Sequence, residues 1–182
     1  MEAPLMGTGI KAEQRQVVVF TLDDQRYALP LAHVKRSIRV VAITPLPEAP
    51  PIVLGIVDLG GVVIPVIDVR KRFGHPSRKI RLSDHLIVAT TKKRTLALWV
   101  DETKGVIEIS SETYAPVEKI LPGLKLFDGT VSLMDGLVLI HDLERLLSLD
   151  EEVSLDRILN DPPHVLPPMA EVASPKSKEG DR

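Results

Sequence analysis

A chain of 182 residues, 44% hydrophobic and 26% charged, is long enough for one sizeable core, and its formal net charge of −2 gives no global field toward nucleic acid or a membrane surface. The absence of cysteine excludes disulfides, thiolate nucleophiles and zinc–thiolate centres, in keeping with an expected cytoplasmic location. No apolar run reaches the ~18 residues of a membrane span, so direct membrane insertion is not expected, and the N-terminal stretch lacks the basic-then-apolar order of a signal peptide.

Residues 1–15 read as a flexible tail. Gln16–Leu22 is a strand candidate, Asp23-Asp24-Gln25 a turn, and Arg26–Leu31 a returning strand. His33–Ile38 is expected to fill a helical turn and Val40–Ile43 a short strand, after which Pro45, Pro47, Pro50 and Pro51 impose an extended connection. Ile52–Leu59 and Val62–Ile67 are two β-branched runs separated by Gly60-Gly61, which reads as a hairpin. The second run lacks polar alternation and is expected to be buried on both faces. Pro65 should mark a sheet edge or a bulge, and Gly55 a bulge or a close backbone approach.

Val69–Gly74 suggests one helical turn closed by glycine, and Gly74–Ser83 an exposed loop. Asp84–Thr91, Thr95–Val100 and Gly105–Ile109 are further strands, Ser110–Thr113 is a turn, and Tyr114–Leu126 a long connection. Gly129–Met134 and Leu137–Ile140 flank the hairpin signal Asp135-Gly136. Asp142 can cap a helix carrying Leu143, Leu146 and Leu147. Residues 150–182 hold eight acidic residues, four basic residues and five prolines, so they read as an acidic, proline-rich tail, partly helical and then disordered. About ten short strands indicate an all-β sandwich or barrel, with no internal repeat visible by eye.

The hairpin residues Gly55, Leu59, Gly61, Ile64-Pro65-Val66-Ile67-Asp68 and Arg70 resemble the signature G-(I/V)-x-N-L-R-G-x-(I/V)-(I/V)-P-V-(I/V)-D-L-R of the CheW-like domain, the bacterial chemotaxis coupling module. The Tyr27-Ala28-Leu29 opening and the proline-rich approach to the hairpin are also similar, and the likeness extends over residues 16–149. The resemblance implies two small five-stranded SH3-like barrels packed across a shared apolar seam, with short helices. It also implies a non-enzymatic, cofactor-free adaptor that couples a methyl-accepting chemoreceptor cytoplasmic tip to the regulatory domain of a CheA-type histidine kinase, with other CheW-like domains as further partners. Carried over by position, the partner-binding residues are Val34, Arg36, Ser37, Gly55, Asp58 and Gly60. Three depart from the family pattern: Asp58 replaces asparagine, Gly60 replaces arginine, and Arg36 replaces a common glutamate. Alternatives within the family are a module that has lost receptor coupling, acting as a decoy or array spacer, and one serving pilus motility.

Readings outside the family are weaker on the residues themselves. Gly55-x-x-x-x-Gly60-Gly61 superficially has the glycine spacing of a phosphate loop, but Val62 and Val63 stand where Lys and Ser/Thr are needed. His33, His75, His85, His141 and His164 show no metal spacing, and His85 and His141 read as edge or core residues. Asp58 and Asp68 flank the hairpin and would make a general acid/base pair only if they meet beside a pocket. The acid-free run Arg70, Lys71, Arg72, Arg78, Lys79, Arg81 reads as a solvated loop. Contact with nucleic acid is disfavoured because aromatics for base stacking are scarce, and an acidic protein partner is the remaining option.

Overall fold

The computed structural model describes residues 15–110, 112–117, 126–134 and 136–160. Its strands are β1 (Arg15–Leu22), β2 (Gln25–Pro30), β3 (Val34–Arg39), β4 (Val53–Asp58), β5 (Val63–Asp68), β6 (His85–Thr90), β7 (Thr95–Val100), β8 (Glu102–Ile109), β9 (Tyr114–Pro116), β10 (Phe127–Leu133) and β11 (Gly136–His141). A helical turn, α1 (Val69–Arg72), follows β5, and a longer helix, α2 (Leu149–Asn160), closes the described chain.

The strands form two sheets, ordered β8-β1-β2-β11-β10-β9 and β3-β6-β7-β5-β4. Each sheet joins two antiparallel hairpins through one parallel pair, β2 with β11 and β5 with β7. Each is a small SH3-like barrel. The barrel of β3–β7 is an insertion, because the other takes its strands from both sides of it in the chain.

Alternate residues of the central strands serve different cores. In β1, Val17 and Val19 pack inside the first barrel with Ala28, Ile109, Val131, Val138 and Ile140. Phe20 and Leu22, on the opposite face, enter a seam shared by both barrels. In β6 and β7, Leu86, Val88, Ala97 and Trp99 fill the second barrel, while Ile87, Ala89, Leu96, Leu98 and Val100 face the seam. Strands with both faces dry read as unbroken apolar runs. All three phenylalanines of the chain line an aromatic column in this seam with Tyr27: Phe20 and Phe73 stack on it at 5.8 and 4.7 Å, and Phe127 lies 5.5 Å from Phe73.

Several local expectations change. His33–Ile38 is not a helical turn: a 3-10 turn occupies Leu31–His33, and Val34 onward is the edge strand β3. Val40–Ile43 is not a strand. It is the closing segment of the second barrel, tied by Val40 N–H to Asp84 O at 2.9 Å and by reciprocal Thr44–Ile56 bonds of 2.9 and 2.8 Å. Pro65 lies in an interior strand, one residue before the pairing of Val66 with Ala97 begins, so its missing N–H breaks no rung there. The bulge lies on the neighbouring strand β4, between Val53 and Gly55, opposite Val66 and Ile67. Ile64 to Ile67 are buried, but Val62 and Val63 are 59% and 54% exposed at the hairpin tip. Within the expected connection 114–126, Tyr114–Pro116 forms β9, which brings the first sheet to six strands.

Asp142 caps its turn by accepting from Glu144 N–H at 3.1 Å, and Leu143, Leu146 and Leu147 enter the seam. Helix α2 docks on the same seam through Leu155. The disorder expected from Pro162 onward lies outside the described residues.

Candidate partner-binding surfaces

Two of the residue groups singled out in the sequence lie on the second barrel, at opposite edges of its sheet. Val34, Arg36 and Ser37 are on β3, while Gly55 and Asp58 are on β4 and Gly60 is in the β4–β5 turn. The closing segment Val40–Thr44 lies between the two groups in the chain.

On β3, Val34 is half-buried against the seam, and Arg36 and Ser37 are exposed. Ser37 Oγ is 2.7 Å from Thr103 Oγ1 on β8 of the other barrel, so it helps join the two. Arg36 has no hydrogen bond or ion pair among the described residues. At the hairpin, Gly55 is buried, and its role is one of packing: a Cβ there would lie 2.2 Å from Thr44 O. Asp58 is exposed and accepts from Gly61 N–H at 2.6 Å, which pins the turn. Gly60 and Gly61 have φ of +75° and +85°, and Leu59 N–H donates to Val62 O at 3.0 Å, the geometry of a tight hairpin with both central residues left-handed. Sequence reasoning placed Val62 and Val63 in a buried strand, yet they form an exposed apolar tip beside Gly60. Their position directly after the glycines, ahead of Ile64, is the signal that marks them.

Asp58 and Asp68 do not meet. Asp58 pairs with Val63, five residues before Asp68 on the same strand, which puts them about 17 Å apart along β5. Asp68 is buried and caps α1 through Arg70 N–H at 3.1 Å. The carboxylate-pair enzyme reading is overturned by this geometry. Among the described residues, no group of three or more His, Cys, Asp or Glu could hold a metal ion.

The basic run is not a uniformly solvated loop either. Arg70 is 1% exposed and donates to Asp101 Oδ1 at 2.7 Å and to Asp23 Oδ1. Arg78 grips both oxygens of Asp84 at 2.8 and 2.9 Å, reaches Asp101, and lies 4.9 Å above the Trp99 ring. Asp84 also accepts from Trp99 Nε1–H and Arg81 N–H, each at 2.8 Å. Burial pushes the Asp84 carboxyl up, but these donors, led by Arg78, hold it below its ordinary value. Arg78 is in turn held strongly protonated, chiefly by Asp84. Hydrogen bonds from Arg70 and His75 lower Asp23. Arg72 is taken up by Glu151 of α2. The loop after α1 is therefore stapled to both barrels by a charge network whose acidic members, Asp23, Asp84 and Asp101, are scattered through the sequence.

Comparison with known proteins gives a consistent picture. A family model described as CheW-like domain matches residues 16–151. The chain is 29% identical over 106 residues to a chemotaxis protein CheW of Rhizobium meliloti, covering 58% of this chain and 68% of that one. It is 26% identical over 148 residues to the chemotaxis protein CheW of Treponema pallidum, covering 78% and 87%. The crystal structure of scaffolding protein TtCheW from Thermoanaerobacter tengcongensis superposes with a TM-score of 0.69 at 29% identity, covering 75% of this chain and 94% of that one.

Proposed function

The chain belongs to the CheW-like domain family, and we propose that it is a cytoplasmic, non-enzymatic adaptor that couples a chemoreceptor tip to the regulatory domain of a CheA-type kinase. The observation that carries this reading is the family match over residues 16–151. The adaptor module is residues 16–149, with residues 150–182 as its C-terminal appendage. Among the described residues, no helix is long and apolar enough to cross a membrane.

Two surfaces are suited to two partners. The β3 edge offers Val34, Arg36 and Ser37. The β4–β5 tip offers Asp58 and Gly60, held in shape by Gly55, together with Val62 and Val63. Exposed apolar groups beside unpaired charge are what a protein interface uses for affinity and orientation. Arg36 and Gly60 retune partner choice rather than fold, because both are exposed and neither supports a core.

The test is capture of the full chain on immobilised receptor tip and, separately, on immobilised kinase regulatory domain. Coupling requires binding to both. Binding to the kinase domain alone gives the decoy or spacer reading, and binding to neither rejects the adaptor.

A further inference from the structure

Two acid-free stretches of sequence converge on one surface. From Arg26 to Pro47 and from Val69 to Ser83 there is no Asp or Glu. The fold brings the cationic part of the first, Lys35, Arg36 and Arg39 on β3, against the end of the second. Arg39 pairs with His85 in the sheet register, and Arg39 Nη1–H donates to Ser83 O at 2.7 Å. Between the barrels, beside these residues, lies a cavity of about 290 Å³, lined by the cations Arg39, Arg78 and Arg81 and the acids Asp23, Asp84, Asp101 and Glu102.

The acids of this cavity are already engaged. Asp84 and Asp101 serve the guanidiniums described above, Asp23 N–H donates to Asp101 Oδ2 at 2.6 Å, and Glu102 binds Lys104 at 2.6 Å. The donors are not all engaged. The Arg81 guanidinium has no partner among the described residues, and Arg39 uses a single N–H on Ser83 O while its charge also acts on Glu102. The spare hydrogen-bonding capacity on this face is that of the Arg39 and Arg81 guanidiniums, which suits a carboxylate.

We propose that the β3 edge and this cavity form a docking site for an acidic segment of a protein partner, which lies along Lys35 and Arg36 and places one carboxylate between Arg39 and Arg81. β3 is an edge strand, and a protein segment can follow it. A nucleic acid fits less well, because the one tryptophan, Trp99, is 1% exposed and closed to base stacking. The proposal rests on the reading of β3 as a partner face and adds the chemistry of that partner.

The experiment titrates the isotope-labelled full chain, followed by amide resonances, with a capped (Thr-Glu)5 peptide, its neutral (Thr-Gln)5 counterpart, glutarate and a 20-base-pair DNA duplex. The acidic peptide should shift amides of residues 35–39 and 78–85, the neutral peptide should not, and Arg39→Gln with Arg81→Gln should weaken the acidic peptide at least fivefold. Both substituted residues are exposed, and the unliganded spectrum checks that the variant is folded. Equal binding of the two peptides, an unaffected variant, glutarate binding as tightly as the peptide, or DNA binding more tightly than the peptide would each overturn the proposal. Capture on receptor tip and kinase domain is run on the same variant. A wild type that binds neither partner defeats the adaptor reading whatever the peptide does. A wild type and variant that bind both partners equally well defeat the acidic-segment proposal and leave the adaptor intact.

Discussion

Arg70 Nη1 lies 2.7 Å from Asp101 Oδ1, with the arginine side chain 1% exposed and the aspartate 21% exposed. Arg70 closes the family signature, and Asp101 stands at the β7–β8 junction where the chain returns from the inserted barrel. With Asp23 from the β1–β2 turn, the pair locks the loop after α1 to both barrels. Arg70→Met should destabilise the fold by about 3–5 kcal/mol, the range for breaking a buried pair and leaving its partner under-compensated. Urea unfolding of the variant measures it. A loss under ~1 kcal/mol would place this network among surface pairs in energetic terms.

His141 is 1% exposed, lies 4.8 Å from the Phe73 ring, and has neither ring nitrogen hydrogen-bonded among the described residues. Burial lowers its pKa to about 4, with the Arg72 charge acting in the same direction and the backbone of Leu126 and Asp142 opposing it. A histidine depressed from 6.5 contributes stability that is fully present above pH 6.5 and is lost as pH falls toward 4, because the unfolded chain takes the proton first. The loss across that window should be about 3 kcal/mol. His141→Leu should flatten it, as read from unfolding midpoints at pH 7.0, 5.5 and 4.5. Parallel slopes for wild type and variant would show that His141 does not carry the dependence.

Gly55 and Gly60 both have positive φ but opposite surroundings. Gly55→Ala must push its Cβ into Thr44 O, at 2.2 Å, where the second barrel closes, whereas a methyl group at Gly60 would meet nothing within 4 Å. Gly55→Ala should cost at least 3 kcal/mol, from overpacking plus backbone strain, and Gly60→Ala about 1 kcal/mol, from strain alone. Similar losses at the two sites, by denaturant unfolding, would mean that the Thr44 approach relaxes freely.

Truncation should divide the C-terminal segment in two. Removal of Pro162–Arg182 should leave the unfolding midpoint within error. Removal from Leu149 onward should cost about 2–4 kcal/mol, because it uncovers seam residues that Leu155 shields, and Leu155 is 0% exposed. A large drop from the shorter deletion would show that the terminal residues pack on the core.

Charge at the two partner surfaces should set specificity. Gly60→Arg with Arg36→Glu should tighten binding to kinase domains and receptor tips typical of the family by about 1–3 kcal/mol and weaken binding to this chain's own partner. Titration calorimetry on both kinds of partner checks this, with stability measured in parallel because arginine at φ +75° costs about 1–2 kcal/mol. Unchanged affinities would remove both positions from the interface.

Much of the fold was legible in local chemistry. Gly60-Gly61 marked its hairpin, Gly55 its bulge and close approach, and Asp142 its cap, while the β10–β11 hairpin was legible only to within a residue, because Gly136 already pairs with Leu133. What escaped was set by distant partners. Likeness to the family opening predicts a helical turn over His33–Ile38; from Val34 onward the segment is a strand because β6 pairs with it. Strands such as β7 show no alternation, because their two faces enter two different cores. The charge network was hidden for the same reason: Arg70 and Arg78 are close in sequence, but the carboxylates that bury them lie in the β1–β2 turn, ahead of β6 and after β7. The candidate site divided likewise, with the hairpin residues found from their turn and the cavity behind β3 invisible until two acid-free stretches were folded together.

The insertion of one barrel into the other sets an order of events during synthesis. β1 pairs with β8 from Arg15 opposite Ile109, whereas the strands of the inserted barrel are complete at Val100. The middle of the chain can therefore close while the β1–β2 hairpin still waits for both its lateral partners, β8 and β11. The finished inserted barrel can cover Phe20 and Leu22, but Val17, Val19 and Ala28 stay uncovered until Val131, Val138 and Ile140 have left the ribosome. That interval, with an apolar hairpin face and two unpaired strand edges open together, is when the nascent chain is most exposed to aggregation, and its length is fixed by the topology rather than by the stability of the finished fold.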